Sequence, residues 1–381
     1  MTLVYLVAGE HSGDVLGARL MAALRHARYD LRFTGVGGPR MAAEGLTSLF
    51  PMHELAVMGL LEVLPRLRQL NRRLQETAAD IAAKRPDIVV TIDSPGFTLR
   101  LLKQIRGLGI PRIQYVAPQV WAWREHRVKR FPGLWERLLC LLPFEVSFFA
   151  GHGLPATFVG HPVLESGADA GDAARFRTAH GLAPDAPVVV LMPGSRRSEA
   201  PRLLPVYGEA MSRLAARLPG LIPVVPVASA VAETVRRATA KWAVPPVIVT
   251  DLADKHDAYA AASAALTKSG TSTLELALAG VPMAVTYRVN PITAMLARRM
   301  IRVPHVAMVN LLAGRLVVPE LLQQDCTAEK LAATLWTLLH DGAAADAQRA
   351  AFRSVMASLS PAGRSPSVAA AEEVLAVLEG S

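Results

Sequence analysis

Short apolar runs alternate with longer stretches of helical periodicity along most of the chain. The runs show no two-residue alternation of apolar and polar side chains, which is typical of strands buried on both faces. Their alternation with helices predicts parallel sheets covered by helices. In the first half, the predicted strands are 3–8, 31–37, 87–93, 112–117, 138–142 and 156–160, with helices at 15–26, 60–84 and 97–108.

The same pattern starts again after a Gly/Ala/Asp-rich segment at 166–173, which we interpret as a linker. Strands of the second half are predicted at 188–194, 221–228, 247–251, 264–270 and 282–289. The sequence thus predicts two doubly wound α/β domains at 1–165 and 174–345, with helices in 346–381 packing back on the first. Ligands bind beyond the carboxyl ends of such strands, so we expect a cleft between the domains.

The composition indicates an ordinary α/β enzyme. Apolar residues make up 51% and aromatic residues 6% of the 381 residues. Cys140 and Cys326 are far apart and form no C-x-x-C motif, which argues against a disulfide framework, a zinc ribbon and an iron–sulfur site. The N-terminus is interpreted as a strand and not a signal peptide, and no stretch reaches the roughly 18 uninterrupted apolar residues of a spanning helix.

A net charge of +9 is compatible with a solvated surface, an anionic membrane, nucleic acid or a phosphorylated substrate. Nucleic acid is disfavoured because no basic stretch is interleaved with aromatic residues. Segment 55–74 combines apolar residues, among them Met58, with several arginines, which is the composition of an interfacial amphipathic helix. Segment 294–303 is a second candidate. Each segment could instead pack on the protein's own core.

The segment "KSGTSTLE" at 268–275 places a strand, a turn of small polar residues and a helix in succession. The free N–H groups of a helix start favour anions, and Gly270 allows close backbone approach. The alternative is a capping box between Ser272 and Glu275. The loop is therefore a candidate phosphate site or an ordinary helix cap.

A similar loop, "PGSRRS" at 193–198, follows the first strand of the second domain. It turns at Gly194 and presents Arg196 and Arg197, which suit bidentate phosphate contacts or form a plain surface pair. Two such loops on one sheet favour a nucleotide ligand. The segment "GVGGPR" at 35–40 does not match a dinucleotide fingerprint, so a dehydrogenase is disfavoured.

Three segments of the first domain carry candidate chemistry. The strand end "IDSPGF" offers Asp93 as a general base, or as an N-cap of the next helix. The tryptophans and basic residues of "VWAWREHRVKRF" could bind a sugar and a phosphate, or pack against the neighbouring domain. The segment "AGEHSGD" at 8–14 resembles a hydrolase triad only in composition, because consecutive side chains diverge. We interpret it as a tight turn in which Ser12 or Asp14 caps the next helix.

These motifs, in order, resemble the lipid A disaccharide synthase family over nearly the whole chain. The succession runs "AGEHSGD", "GVGGPRMAAEG", "ELAVMGLLEVL", "IDSPGF", "VAPQVWAWR", "LPFE", "FVGHP", "LMPGSRRSE", "KSGTSTLE" and "VNLLAGR". The resemblance implies a GT-B fold of two Rossmann-like domains facing an interdomain cleft. It also implies an inverting transfer that uses neither a metal nor another cofactor.

The implied donor is UDP-2,3-diacylglucosamine and the implied acceptor is 2,3-diacylglucosamine 1-phosphate. The product would be a β-1,6-linked disaccharide 1-phosphate, released with UDP. The family relation further implies peripheral association with the cytoplasmic face of the inner membrane of a Gram-negative bacterium. No nucleic-acid partner is expected, and an oligomer is possible.

The same resemblance assigns site residues. Asp93 would be the catalytic base. The donor UDP-sugar would be bound by Gly194, Ser195, Arg196, Ser269, Gly270, Thr271, Ser272, Glu275 and Asn310. The acceptor side of the cleft would include Gly9, Ser12, Met58, Trp123 and Arg124. The roles of His11 and Lys268 stay open, because the family pattern leads us to expect small residues there.

Two other functions remain open at this level. One is a different GT-B enzyme that uses a UDP-GlcNAc-type donor, such as a transferase or a 2-epimerase, although the clustered carboxylates and histidines of an epimerase are not evident. The other is a non-catalytic nucleotide-sugar-binding protein. An assay of UDP release with the lipid acceptor discriminates among them.

Overall fold

The computed structural model describes residues 1–55, 60–123, 125–194, 200–227, 231–290 and 303–380, with side chains omitted for 60–65. The chain divides into two compact units. The first comprises Met1–Pro162 and Leu359–Ser381, and the second comprises Val163–Ser358. The sequence prediction had assigned residues from 346 onward to the C-terminal helices, whereas the structure keeps the chain in the second unit as far as Ser358.

The first unit contains a seven-stranded sheet in the order β3-β2-β1-β4-β5-β6-β7, and all of its strand pairs are parallel. Its strands are β1 Thr2–Ala8, β2 Leu31–Val36, β3 Thr47–Ser48, β4 Ile88–Ile92, β5 Arg112–Tyr115, β6 Arg137–Cys140 and β7 Ala156–Phe158. Its helices are α1 His11–Ala27, α2 Pro39–Ala43, α3 Leu60–Lys84, α4 Pro95–Gln104, α5 Val120–Trp123, α6 Pro143–Ala150 and the C-terminal helix Pro366–Glu379.

Helices cover both faces of this sheet. Tyr5 and Val7 pack into a core that includes residues of α3 and α4, whereas Leu6 packs into a core built with α1 and the C-terminal helix. Alternate residues of β1 therefore enter opposite cores, which explains its unbroken apolar run. The C-terminal helix begins at a cap in which the Ser365 hydroxyl accepts from the N–H of Val368.

The second unit contains a six-stranded parallel sheet in the order β10-β9-β8-β11-β12-β13. Its strands are β8 Val188–Met192, β9 Ile222–Pro226, β10 Val247–Val249, β11 Ala262–Lys268, β12 Met283–Tyr287 and β13 Glu320–Leu322. Its helices are α7 Ala173–Ala179, α8 Ala200–Ala215, α9 Ala232–Thr239, α10 Leu252–Ala261, α11 Ser272–Leu278, α12 Met308–Ala313, α13 Ala328–His340 and α14 Gly342–Ser358. Short 3₁₀ turns lie at Met52–Glu54, Arg106–Leu108, Glu125–Arg130, Pro162–Glu165 and Gln323–Asp325.

All eleven strands predicted from the apolar runs occur in these two sheets, shifted by a few residues at their ends. The prediction missed β3 and β13, which are edge strands of two and three residues. Strands this short carry too few apolar positions to form a pattern. Among the helices of the described ranges, none is both long enough and apolar enough to cross a membrane.

Candidate functional site

In the first sheet, the strand order reverses between β1 and β4, which pair although they are not consecutive. Doubly wound sheets bind ligands in the crevice beyond the carboxyl ends of such a pair. Gly9 and Glu10 follow β1, and Asp93 and Ser94 follow β4. The fold therefore brings "AGEHSGD" and "IDSPGF" to one end of the sheet.

These two loops are in direct contact. The Ser12 hydroxyl donates to Oδ2 of Asp93 at 3.4 Å, which is a long hydrogen bond. A Cβ atom on Gly9 would lie 2.5 Å from Oγ of Ser94, so only glycine fits there without a shift. Gly9, Ser12 and Asp93, which the sequence analysis assigned to the site, thus lie in two adjoining loops.

The backbone of the second loop is held in an unfavourable conformation. Asp93 has φ 52° and Ser94 has φ 45°, in the left-handed region that costs a non-glycine residue on the order of 1–3 kcal/mol. The N–H of Asp93 donates to the carbonyl of Tyr115 at 2.9 Å, and the carbonyl of Asp93 accepts from the hydroxyl of Thr98 at 2.8 Å. These bonds fix the backbone of Asp93, and strain of this kind is common at active sites.

The surroundings of Asp93 make its carboxylate a stronger base. Burial raises its pKa, while hydrogen bonds from the Ser94 N–H and the Ser12 hydroxyl lower it, and burial has the larger effect. A raised pKa suits a group that must accept a proton near neutral pH. The alternative role, a side-chain N-cap, is not seen: Ser94 is the N-cap residue of α4, and no side chain caps that helix.

The sequence prediction that Ser12 or Asp14 caps α1 is wrong. The N-cap residue of α1 is Glu10, without a side-chain cap, and Asp14 lies fully buried inside the helix. The Asp14 carboxylate accepts from the N–H groups of Gly38, Arg40 and Met41 at 2.9–3.0 Å. It therefore holds the start of α2, where the "GVGGPR" segment ends, and is a structural residue.

The tryptophan segment is anchored by a glutamate that the sequence analysis did not single out. The indole N–H of Trp121 donates to Oε1 of Glu145 at 3.0 Å, and Oε2 accepts from the N–H groups of Leu141 and Leu142. Glu145 is buried, and burial raises its pKa to about 7. Trp123 is 43% exposed. No local pattern links Glu145 to a residue 24 positions earlier, so only the fold shows this contact.

In the second unit, the strand order reverses between β8 and β11, which are neighbours. Gly194, at the start of the predicted loop 193–198, follows β8, and the predicted loop 268–275 follows β11. Gly194 has φ 102° and Gly270 has φ 157°, so both turns need glycine. The Ser269 hydroxyl donates to the carbonyl of Val306 at 2.7 Å, and Thr271 precedes α11 without a side-chain cap.

The capping box between Ser272 and Glu275 is not formed. Instead, Oε2 of Glu275 accepts from the Tyr259 hydroxyl at 3.1 Å and contacts Nζ of Lys255 at 2.7 Å. Both partners lie on α10, and burial raises the pKa of Tyr259 well above its usual value. Lys255 and Tyr259 thus orient the Glu275 carboxylate, and no nearby sequence pattern points to them.

Asn310 does not line an open surface, which corrects the sequence prediction. Its side chain is fully buried, and its amide nitrogen donates to the carbonyl of Val318 and to Glu320. Its amide oxygen accepts from the N–H groups of Val317 and Val318. All four hydrogen-bonding positions are used within the protein, so Asn310 fixes α12 against the following segment.

Several predicted residues lie outside the described ranges. These are Met58 and Arg124 of the acceptor side, Ser195 and Arg196 of the donor side, and most of segment 294–303. Within the described ranges, no group of three or more His, Cys, Asp or Glu residues is placed to hold a metal ion.

Comparison with known proteins gives matches along the whole chain. A family model described as Lipid-A-disaccharide synthetase matches residues 4–374. The lipid-A-disaccharide synthase of Granulibacter bethesdensis is 64% identical, over 99% of this chain and 98% of that protein. The enzyme of the same name from Rhodospirillum centenum is 52% identical, over 99% of this chain and 94% of that protein.

Solved structures with low sequence identity share the fold. Phytolacca americana UGT2, complexed with UDP-2fluoro-glucose and pterostilbene, has a TM-score of 0.65 at 14% identity, with 100% of both chains covered. A UDP-GlcNAc 2-epimerase from Neisseria meningitidis, bound to UDP-GlcNAc, has a TM-score of 0.64 at 11% identity, again with 100% of both chains covered. These matches and the two parallel sheets confirm the GT-B fold of two Rossmann-like domains.

Proposed function

Because the chain belongs to the lipid-A-disaccharide synthetase family, we propose that it transfers 2,3-diacylglucosamine from UDP to the 6-hydroxyl of 2,3-diacylglucosamine 1-phosphate. It is a glycosyltransferase enzyme of lipid A biosynthesis. The observation that carries the residue-level proposal is the partly buried Asp93, whose backbone is strained, at the switch point of the first sheet.

Asp93 is the general base of this reaction. Its carboxylate takes the proton of the acceptor 6-hydroxyl as the oxygen bonds to the anomeric carbon, and the bond to UDP breaks on the opposite face. Burial supports this role because it raises the pKa of Asp93, and the Ser12 hydroxyl fixes Oδ2. One positioned base contributes about 10²–10⁴-fold to the rate.

The donor binds to the second unit at the loops after β8 and β11. The diphosphate is contacted by the loop 269–272. Gly194 has no side chain, so the diphosphate can also approach the backbone there. Arg196 offsets the charge that develops on the leaving UDP, as preorganised donors do in other transferases. The support is the side-by-side position of the two glycine turns on adjacent strands.

Glu275 accepts hydrogen bonds from the ribose hydroxyls of UDP. Lys255 and Tyr259 both contact Oε2. Within the described part of the chain, no hydrogen bond involves Oε1, so this oxygen can accept from a ligand. A carboxylate with one oxygen bound by the protein can accept hydrogen bonds from ribose hydroxyls with its other oxygen.

The enzyme meets its lipid substrates at the cytoplasmic surface of the inner membrane. Helix α3 carries exposed Arg66, Arg68 and Arg72 beside Leu67, which is 41% exposed, and this mixture suits an anionic lipid surface. Arg73 does not contribute, because it pairs with Glu54 at 2.7 Å. Flotation with vesicles should show binding to anionic lipid that high salt weakens, and binding insensitive to salt would contradict the assignment.

Mass spectrometry of the reaction products tests the proposed activity. Incubation with both substrates should give the disaccharide 1-phosphate and an equal amount of UDP. Omission of the acceptor serves as the control and should give no UDP. UDP-GlcNAc turnover without a lipid acceptor would instead indicate an epimerase, and the absence of any turnover with both substrates would contradict the proposed activity.

A further inference from the structure

An apolar pocket of about 220 Å³ opens in the first unit beside the loop that carries Asp93. One wall comes from α3, at Leu67, Leu70 and Leu74, and another comes from the start of α4, beginning with Pro95. Ser94, the residue after the proposed base, also lines it. The pocket is thus adjacent to the reacting end of the sheet without containing Asp93 itself.

The buried part of the lining is apolar, whereas its more exposed part is mixed. Leu55, Leu74 and Phe97 are buried, and all three are apolar. Asn71 and Arg100 are exposed together with Leu67, and the Glu10 carboxylate is half-buried. A ligand that fits this lining has an apolar segment inside and a polar group at the opening.

We propose that this pocket binds the first part of one acyl chain of the lipid acceptor. The inference rests on the proposed function, which supplies an acylated acceptor to the Asp93 side. An engineered apolar cavity of about 150 Å³ accepts benzene, so 220 Å³ takes on the order of eight to ten chain carbons. The pocket therefore holds a segment of one long chain and has no room for a second.

Chain binding here would position the acceptor for reaction. Ser94 is covalently next to the base, so a chain held against Ser94 keeps its sugar within a short distance of the Asp93 carboxylate. Such anchoring of remote groups raises the rate by ordering the reacting atoms. The pocket is thus inferred to make the enzyme selective for long acyl chains on the acceptor.

Leu70→Trp tests the inference because Leu70 is half-buried in the pocket wall, and a larger ring fills the space. The matched control is Gln75→Trp, an exposed position on α3 that does not line the pocket. Each methylene group that the ring excludes from the pocket should lower kcat/KM about fourfold. Exclusion of three gives a loss on the order of 50-fold in kcat/KM for a long-chain acceptor, with little change for a diacetyl acceptor.

The outcome is decided by the ratio of kcat/KM for the long-chain acceptor to kcat/KM for the diacetyl acceptor. A ratio that falls in Leu70→Trp but not in Gln75→Trp supports the pocket, and an unchanged ratio overturns it. If Leu70→Trp does not fold, photo-crosslinking of wild type replaces it: a chain-tethered diazirine on the acceptor should label α3, whereas labelling only by a diazirine phospholipid would overturn the proposal. Wild type that forms no disaccharide contradicts the proposed function, yet crosslinking still tests the pocket.

Discussion

Replacing Asp14 with alanine should destabilise the first unit more than replacing it with asparagine. The two carboxylate oxygens accept hydrogen bonds from different N–H groups. Oδ1 accepts from the N–H groups of Gly38 at 2.9 Å and Met41 at 3.0 Å, and Oδ2 accepts from the N–H of Arg40 at 3.0 Å. Gly38 and Met41 are buried, whereas Arg40 is exposed and can bond to water.

The expected magnitudes follow from this division. Alanine leaves two buried N–H groups without an acceptor, at about 1–3 kcal/mol each, so the free energy of unfolding should fall by about 4 kcal/mol. Asparagine keeps one oxygen for those two groups, but its NH2 group replaces the acceptor of the Arg40 N–H and is itself a donor, so it should cost about 2 kcal/mol. The alanine loss is large against the 5–15 kcal/mol typical of a folded domain.

Urea unfolding followed by circular dichroism measures both variants. Asp30→Ala is the control, because Asp30 is partly exposed and pairs with Arg28 at the surface, so the unfolding midpoint should hardly move. Equal losses for the alanine and asparagine variants would refute the reasoning. So would an alanine variant as stable as the wild type.

Three further predictions concern residues that the fold brings together. Burial raises the pKa of Glu145 to about 7, so its contribution to stability is present below pH 4.5 and is lost as the pH rises through 7. Urea unfolding should therefore show wild type losing on the order of 3 kcal/mol between pH 4.5 and 8 relative to Glu145→Gln, and parallel profiles would contradict this. Tyr259→Phe removes a donor to Glu275 and should raise the KM for the UDP-sugar about tenfold with kcat nearly unchanged, whereas a loss in kcat alone would argue against ribose recognition. Asn310→Ala should lower the free energy of unfolding by about 3 kcal/mol, because it orphans buried backbone groups; a stable variant with weaker donor binding would restore the sequence prediction.

The fold could be predicted because buried strands leave unbroken apolar runs, as β1 and β4 do. Asp93 could be found for the same reason: a carboxylate directly after a buried strand lies where parallel sheets bind ligands. The turns at Gly194 and Gly270 could also be predicted, because glycine is the residue that most readily adopts the positive φ found there.

The remaining site features depend on contacts between residues distant in sequence. The partners of Asp14 lie 24–27 residues later, on a separate helix. Glu275 has the spacing of a capping box, but its partners on α10 draw the carboxylate away. Asn310 lies in a polar-looking loop motif, and only its burial by residues 317–320 shows that it is structural. Short patterns do not contain this information.

The most direct test of the central claim, that Asp93 is the base of the transfer, is the turnover of Asp93→Asn measured as disaccharide formed. The variant should keep the unfolding profile and the UDP-sugar affinity of wild type, because asparagine preserves the size and burial of the side chain. Its kcat should fall by about 10²–10⁴-fold. It should also lose the acid limb of the wild-type pH profile, which reflects the raised pKa of Asp93. A folded Asp93→Asn variant with near-normal turnover would contradict the account.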